Sequence, residues 1–273
     1  MNNNPKVYLV LRLVLFAVAL LWILPFVWMV LAALQMNYPR LAVLIPSSMP
    51  SFEKFAEALS FAKWSTLYIN TIIFTGGTLA VQLVFITLAG YSFAYLDFPL
   101  KKTLFMLFLV QLLIIPAVLI VPNMITLRKF GLLNSLVGLM MPYFGSAFGT
   151  FLMRQAFKTI PKEFIEAAVM DGANWRQVLW HVLLPMVKPS LVAFSIVSIT
   201  AHWNEYIWPL MVINSPDKHV LTVGFASFAK GAEAGADWGL VAAGALLVCI
   251  PIMILFIAFQ KTFISSFGFG ELK

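Results

Sequence analysis

Six apolar runs, separated by short polar stretches, follow one another along the chain. The first extends from Leu13 to Leu34, broken only by Pro25. The others cover Trp64 to Leu96, Leu104 to Leu127, Ser135 to Phe157, Val187 to Ile213 and Trp238 to Phe259. Each exceeds the about 20 residues that a helix rising 1.5 Å per residue needs to cross a bilayer. The pattern predicts an all-α, polytopic membrane protein with about six transmembrane helices in one domain over residues 1–273. Ala32-Ala33 resembles a signal-peptide cleavage site, but the run before it is longer than the about 7–15 residues of a signal core. It is expected to remain as an uncleaved first span. Gly76-Gly77 would allow close helix packing in the second. Pro116 and Pro122 are expected to kink the third, and broken helices of this kind sometimes flank a transporter's substrate site. Residues 35–63, with Pro39, Pro46 and Pro50, read as an external loop holding a short helix capped by Ser51.

One polar stretch, residues 159–190, reads TIPKEFIEAAVMDGANWRQVLWHVLLPMVKPS and carries its own start and stop signals. Pro161 suits the first turn of a helix, where its missing N–H costs nothing. Glu163 and Glu166 suit the positive end of the helix dipole. Asp171-Gly172 should end the helix, because glycine accepts left-handed geometry. Asn174 with Gln177 three residues later forms a capping-box pattern for a second helix. Leu184-Pro185 should end that one, since a residue before proline is driven out of helical geometry. Trp175, Val178, Leu179, Val182 and Leu183 fall on one face. Residue types alone make this stretch either a docking surface or a packed cap.

Composition supports the membrane assignment: 62% of the 273 residues are hydrophobic and 11% charged, against about 25% charged in soluble domains. The net charge of +7 therefore points to Lys and Arg retained on one side of a bilayer, not to nucleic acid. Six spans place both termini on one side. That side carries 11 Lys and Arg and the other 7, which favours cytoplasmic termini. The single cysteine, Cys249, excludes an intrachain disulfide. The sequence contains no Gly-x-x-x-x-Gly-Lys-Ser/Thr phosphate loop and no His-Glu-x-x-His, so no route to ATP binding or zinc proteolysis is legible. No metal site and no catalytic constellation is expected.

Glu166-Ala167-Ala168, Asp171-Gly172-Ala173 and Leu184-Pro185 resemble the EAA loop of ABC importer permeases. Further matches are Tyr68-Ile69-Asn70-Thr71, Tyr91-Ser92-Phe93-Ala94-Tyr95 with Phe98-Pro99, Gly131-Leu132-Leu133-Asn134-Ser135, and Trp203-Asn204-Glu205-Tyr206-Ile207-Trp208-Pro209-Leu210. These are similar to the second permease of carbohydrate-uptake importers of the maltose type (CUT1), a group that also takes up glycerol-3-phosphate and related polyols. The resemblance implies a type I ABC importer permease fold in a bacterial inner membrane, with residues 159–190 as a cytoplasmic coupling loop. It implies a second homologous permease, two ATPase subunits and an extracytoplasmic solute-binding protein as partners. This chain would bind no cofactor, and ATP-Mg would sit on the ATPase. Within the loop, Glu163, Glu166, Ala167, Ala168, Asp171, Gly172, Ala173, Trp175, Val178, Leu179 and Pro185 would dock the ATPase. The family's glycine-rich tail is replaced by a shorter, different one, Phe267 to Lys273.

Glu205 is an acid inside an apolar run. It lies seventeen residues after Lys188, roughly 26 Å along a helix, and so near the outer interface, within an aromatic belt of Trp203, Tyr206 and Trp208. It reads either as an interfacial residue or, with Asn70, Trp203, Asn204 and Tyr206, as a contact for the pathway or the binding protein. His202 and His181 read as structural and solvated. The alternative to an ATP-driven importer is an ion-coupled secondary transporter using Glu205. It would predict an internal repeat and midplane acids, which the sequence does not display.

Overall fold

The computed structural model describes residues 5–34, 50–235 and 237–266. The expectations for the loop prolines Pro39 and Pro46 and for the tail 267–273 lie outside these residues. Among the described residues every regular element is helical. Contacts divide the chain into two compact units, residues 1–64 with 224–251 and residues 65–223 with 252–273.

In the first unit, α1 (Pro5–Leu34) is a single helix through Pro25. Its apolar side chains from Tyr8 to Val27 are largely exposed, as suits a lipid-facing span, and among its described side chains only Ala32 and Ala33 are buried. Those two alanines pack with Ala58 of α2 (Glu53–Phe61), with Phe228 and Ala232 of α13 (Leu221–Ala234), and with Leu240, Ala242 and Ala243 of α14 (Trp238–Ser266). Ser51 is not the formal cap of α2; its hydroxyl accepts from the Glu53 N–H at 3.2 Å, one residue inside. Lys54 Nζ meets Asp237 at 2.6 Å and Glu57 at 2.9 Å. Burial lowers the lysine pKa, but the hydrogen bonds to Asp237 and Glu57 outweigh it, so the net shift is upward. The same Asp237 accepts the Leu240 N–H and so starts α14.

In the second unit, α3 (Trp64–Tyr95) is unbroken over 32 residues. Its buried side carries Asn70, Thr71, Thr75, Thr78 and Gln82 among apolar neighbours. Three of them bond to other elements: Asn70 Nδ2 donates to the carbonyls of Asp217 and His219 (2.9 Å each), Thr71 Oγ1 accepts from the Leu221 N–H (2.7 Å), and Gln82 Nε2 donates to the Tyr143 carbonyl (2.7 Å). Asn134, at φ 55°, accepts from the N–H groups of Asn214 and Ser215 at 3.1 Å. Lys218 Nζ donates to its carbonyl at 3.0 Å. At the other end of α3, Tyr95 OH donates to the Phe157 carbonyl (2.6 Å) and Arg154 Nε to that of Phe93 (3.1 Å). The 128–135 and 213–221 connections therefore gather at one end of α3, and the residues that lead into the 159–190 stretch at the other.

Three helices are long and apolar enough to cross a membrane as single rods. The third and fourth expected spans are helix pairs with sharp bends, and a third bent pair joins the second helix of the 159–190 stretch to the start of the fifth. The third span is not merely kinked: α4 (Lys101–Val110) and α5 (Ile120–Lys129) with their flanking 3-10 turns bend by 98°. Ile114 and Ile115 are extended before Pro116, as pre-proline geometry requires. Pro122 introduces no bend, because it lies in the first turn of α5, where its N–H has no helical partner to lose. The fourth span bends by 50° between α6 (Leu136–Met140), continued by a 3-10 turn to Tyr143, and α7 (Ala147–Lys158). Ser146 starts α7 by accepting from the Gly149 N–H at 3.0 Å. The fifth span does not run from Val187 to Ile213: α11 (Lys188–Trp203) stops, and α12 (Ile207–Val212) begins after a turn. Glu205 sits in that turn and not within a span.

Candidate functional site

The loop folds as two short helices. Helix α8 (Lys162–Met170) begins after Pro161, which precedes the first turn rather than entering it. It ends as expected at Asp171, with Gly172 at φ 81°. Gly172 N–H donates to the Val169 carbonyl and Ala173 N–H to that of Ala168, each at 3.0 Å. These are the two bonds of a Schellman motif. The capping box is present: the Gln177 N–H donates to Asn174 Oδ1 at 3.0 Å, and the Asn174 N–H to Gln177 Oε1 at 2.8 Å.

Pro185 does not end the second helix. α9 (Trp175–Gln177) passes into a π-turn over Val178–Leu183 and then into α10 (Leu184–Met186), which contains Pro185. In an α-helix the proline ring would clash with the carbonyl four residues back. The wider π-turn moves that carbonyl away, and Leu184 stays helical at φ −62° and ψ −43°. The chain breaks instead at Val187, and α11 leaves at 76°.

The two faces of the loop differ. Val178, Leu179 and Leu183 are buried with Ile86 of α3, Met153 and Phe157 of α7 and Phe194 of α11, and Ala168 and Ala173 pack against the same cluster. Met170 is 87% exposed, Trp180 61%, Trp175 53% and Phe164 51%. Trp175 therefore does not share the buried stripe expected for it; the Arg176 guanidinium lies 5.3 Å above its ring instead. Glu163, Glu166, Ala167, Asp171 and Pro185 are also exposed, and Glu166 meets no cation among the described residues. An apolar, partly acidic surface thus stands on a seat locked to three long helices.

A second feature lies wholly within the second unit. A cavity of about 500 Å³ is lined by Gln111, Pro116 and Asn123 at the first bend, Tyr143 and Ser146 at the second, and His202 and Glu205 at the α11–α12 break. Sequence reading missed Gln82, Gln111 and Asn123. Their signal was an amide within an apolar run, which is costly in a membrane and reserved for a function or a partner. Among the residues that were singled out, Glu205 lines this cavity. Its Oε1 accepts from the Trp208 N–H at 3.4 Å, and its carbonyl from Thr222 Oγ1 at 2.6 Å. Asn70 is buried in its two carbonyl contacts, Trp203 is buried, and Asn204 is exposed with its amide on the Thr200 carbonyl (2.8 Å). Tyr206 is half-buried beside the cluster of Phe74, Leu139 and Trp208.

Residues 86–267 match the model of the binding-protein-dependent transport system inner membrane component family. The chain belongs to that family. The match spans the loop, all three bends and the sixth apolar run. Within this permease family the chain is 27% identical to the diacetylchitobiose uptake system permease protein NgcG of Streptomyces coelicolor, over 94% of this chain and 87% of that one. It is 30% identical to the sn-glycerol-3-phosphate transport system permease protein UgpE of Yersinia pestis, over 72% and 69%. A bacterial ABC transporter structure for import of the acidic polysaccharide alginate has the same fold, at a TM-score of 0.84 and 24% identity, covering 96% of this chain and 98% of the other. The chain is a carbohydrate-type permease subunit of an ABC importer, a multi-pass inner-membrane transport component and not an enzyme. Nothing among the described residues favours the ion-coupled alternative: Glu205 lies in the turn before α12, where its carboxylate accepts the Trp208 N–H.

Proposed function

We propose that this permease forms half of the pathway of an importer for a sugar or a related polyol solute, and that residues 159–190 transmit ATPase motion to it. A second permease would supply the other half. Two ATPases carrying ATP-Mg would bind the exposed loop face, and an extracytoplasmic binding protein would deliver solute at the opposite end. The observation that carries this reading is the two-faced loop. A surface of Phe164, Glu166, Met170, Trp175 and Trp180 stands free, while Val178, Leu179 and Leu183 are wedged among α3, α7 and α11. Force applied to the exposed side reaches three spans at once, because packed interiors transmit strain. Closure of the ATPases would then tilt the spans from inward-open to outward-open.

With both termini cytoplasmic, single cysteines placed at Lys162 or Arg176 in a Cys249→Ser background resist membrane-impermeant thiol reagents in intact cells, whereas one at Lys54 reacts. Labelling at the loop without labelling at Lys54 inverts the topology. ATP depletion abolishes uptake by cells that express the whole system. Uptake that survives depletion and follows a proton gradient instead restores the secondary-transport alternative.

A further inference from the structure

Among the described residues no lysine or arginine lines the cavity between the three helix breaks, and the one formal charge there is the Glu205 carboxylate. Beside Glu205 stand the amides of Gln82, Gln111 and Asn123 and the imidazole of His202. His202 Nδ1 lies 2.7 Å from the Ser198 carbonyl oxygen. A carbonyl only accepts, so the neutral ring carries its proton on Nδ1 and presents Nε2 as an acceptor. Nε2 has no hydrogen-bond partner among the described residues. The ring is fixed edge-on between Tyr143 (4.6 Å between centroids) and Phe74 (5.7 Å). Ser198 Oγ donates to Gln82 Oε1 at 2.6 Å, and Gln82 in turn donates to the Tyr143 carbonyl. These contacts set the imidazole and the Gln82 amide in place before any solute arrives.

We infer that this cavity is a solute subsite within this chain, built for an uncharged polyhydroxylated molecule and unfavourable to anions such as phosphate esters and uronates. The inference rests on the importer reading above and narrows its substrate class. Hydroxyl groups donate to the Glu205 carboxylate and to His202 Nε2, and bonds to an ionised acceptor are the stronger kind. Gln111 and Asn123 both donate and accept, which matches the dual character of hydroxyls. Tyr143, Phe148 and Trp208 supply aromatic walls for the C–H faces of a sugar. The volume falls within the about 300–1,000 Å³ typical of small-molecule sites. An anion would bring only acceptors to this wall. It would meet a carboxylate without a compensating cation, where the low local dielectric screens repulsion weakly.

The test uses the assembled importer in lipid nanodiscs, without binding protein, and saturation-transfer NMR. The probes are lactose, diacetylchitobiose and an arabino-oligosaccharide, with glycerol-3-phosphate and an alginate disaccharide as anions. At least one neutral probe should receive saturation and both anions none. Glu205→Gln and Asn123→Leu, each assembled with the ATPases, should weaken that neutral probe by about tenfold, as losing one buried hydrogen-bonding partner does. Anions bound as well as the neutral probes, no neutral probe bound, or affinities unchanged in both variants would each overturn the subsite. Failure of the importer reading itself is a separate result: no ATP-dependent uptake of any solute by the wild-type system.

Discussion

Gly172→Val and Glu166→Lys leave the chain in the membrane but strip the ATPase from it, and transport falls to background in both. The two act by different routes. Gly172 holds φ 81° and an added Cβ would meet nothing within 4 Å, so sterics with neighbours are not the cause. The cost is the left-handed backbone itself, about 1–2 kcal/mol for a side-chain-bearing residue and more for a β-branched one. Relief of that strain turns the chain at Asp171 and breaks the bonds from Gly172 and Ala173 to Val169 and Ala168. The second helix then leaves at a different angle. Gly172→Asn, which tolerates this geometry, retains most activity. Glu166 stands exposed on the free face, so its reversal leaves the fold alone and sets a positive charge against the docking partner. If its partner is a basic residue buried in the complex, losing one member of such a pair costs roughly 3–5 kcal/mol. ATPase retained on the purified permease pair, with solute-stimulated hydrolysis in liposomes, measures both effects. Normal retention and stimulation in both variants would sink the coupling assignment.

Phe157→Ala destabilises the assembled importer by about 3–5 kcal/mol, the usual range for emptying a fully buried aromatic site. Phe157 has no exposed surface and belongs to the cluster that also holds Val178, Leu179 and Leu183. The void would therefore lie beneath the seat of the loop. Unlike transfer from water, the missing contacts matter equally in a membrane, since a void offers its lining no partner atoms. Tyr95, whose hydroxyl donates to the Phe157 carbonyl and whose ring lies 6.2 Å from it, loses its packing as well. Phe157→Leu, closer in volume, costs less. Thermal unfolding of the complex in nanodiscs and ATPase retention should fall together for Phe157→Ala. A midpoint equal to that of the wild type would show that the cluster does not hold the loop.

Much of the loop was legible in the chain. Asp171-Gly172, Asn174 with Gln177, and the spacing of Val178, Leu179 and Leu183 each act within one or two helical turns. The bonds they predict are intrasegmental and appear at 2.8–3.0 Å. Pro185 misled for the same reason. A local rule ends a helix before proline, yet packing of Val178, Leu179 and Leu183 against three other helices favours a π-turn that absorbs the ring. Trp175 lay on the apolar stripe by arithmetic, but the π-turn lies after it, and the buried face is defined by residues beyond the stripe's start.

The sequence by itself determined the membrane class, the six apolar segments and both caps of the loop, because hydrophobic length and capping depend on neighbours a few residues away; the family was legible only through the resemblance of its motifs. Only the tertiary structure decided that the third and fourth segments bend, by 98° and 50°, that the loop meets the fifth at 76°, and that Glu205 lies in a turn. It also brought Gln82, Gln111, Asn123, His202 and Glu205 to one cavity. A proline or a polar residue marks where a helix can break. The direction of the break, and which side chains then face one another, depend on residues up to a hundred or more positions away, as the Ser198–Gln82 bond does. No periodicity within a single segment encodes that.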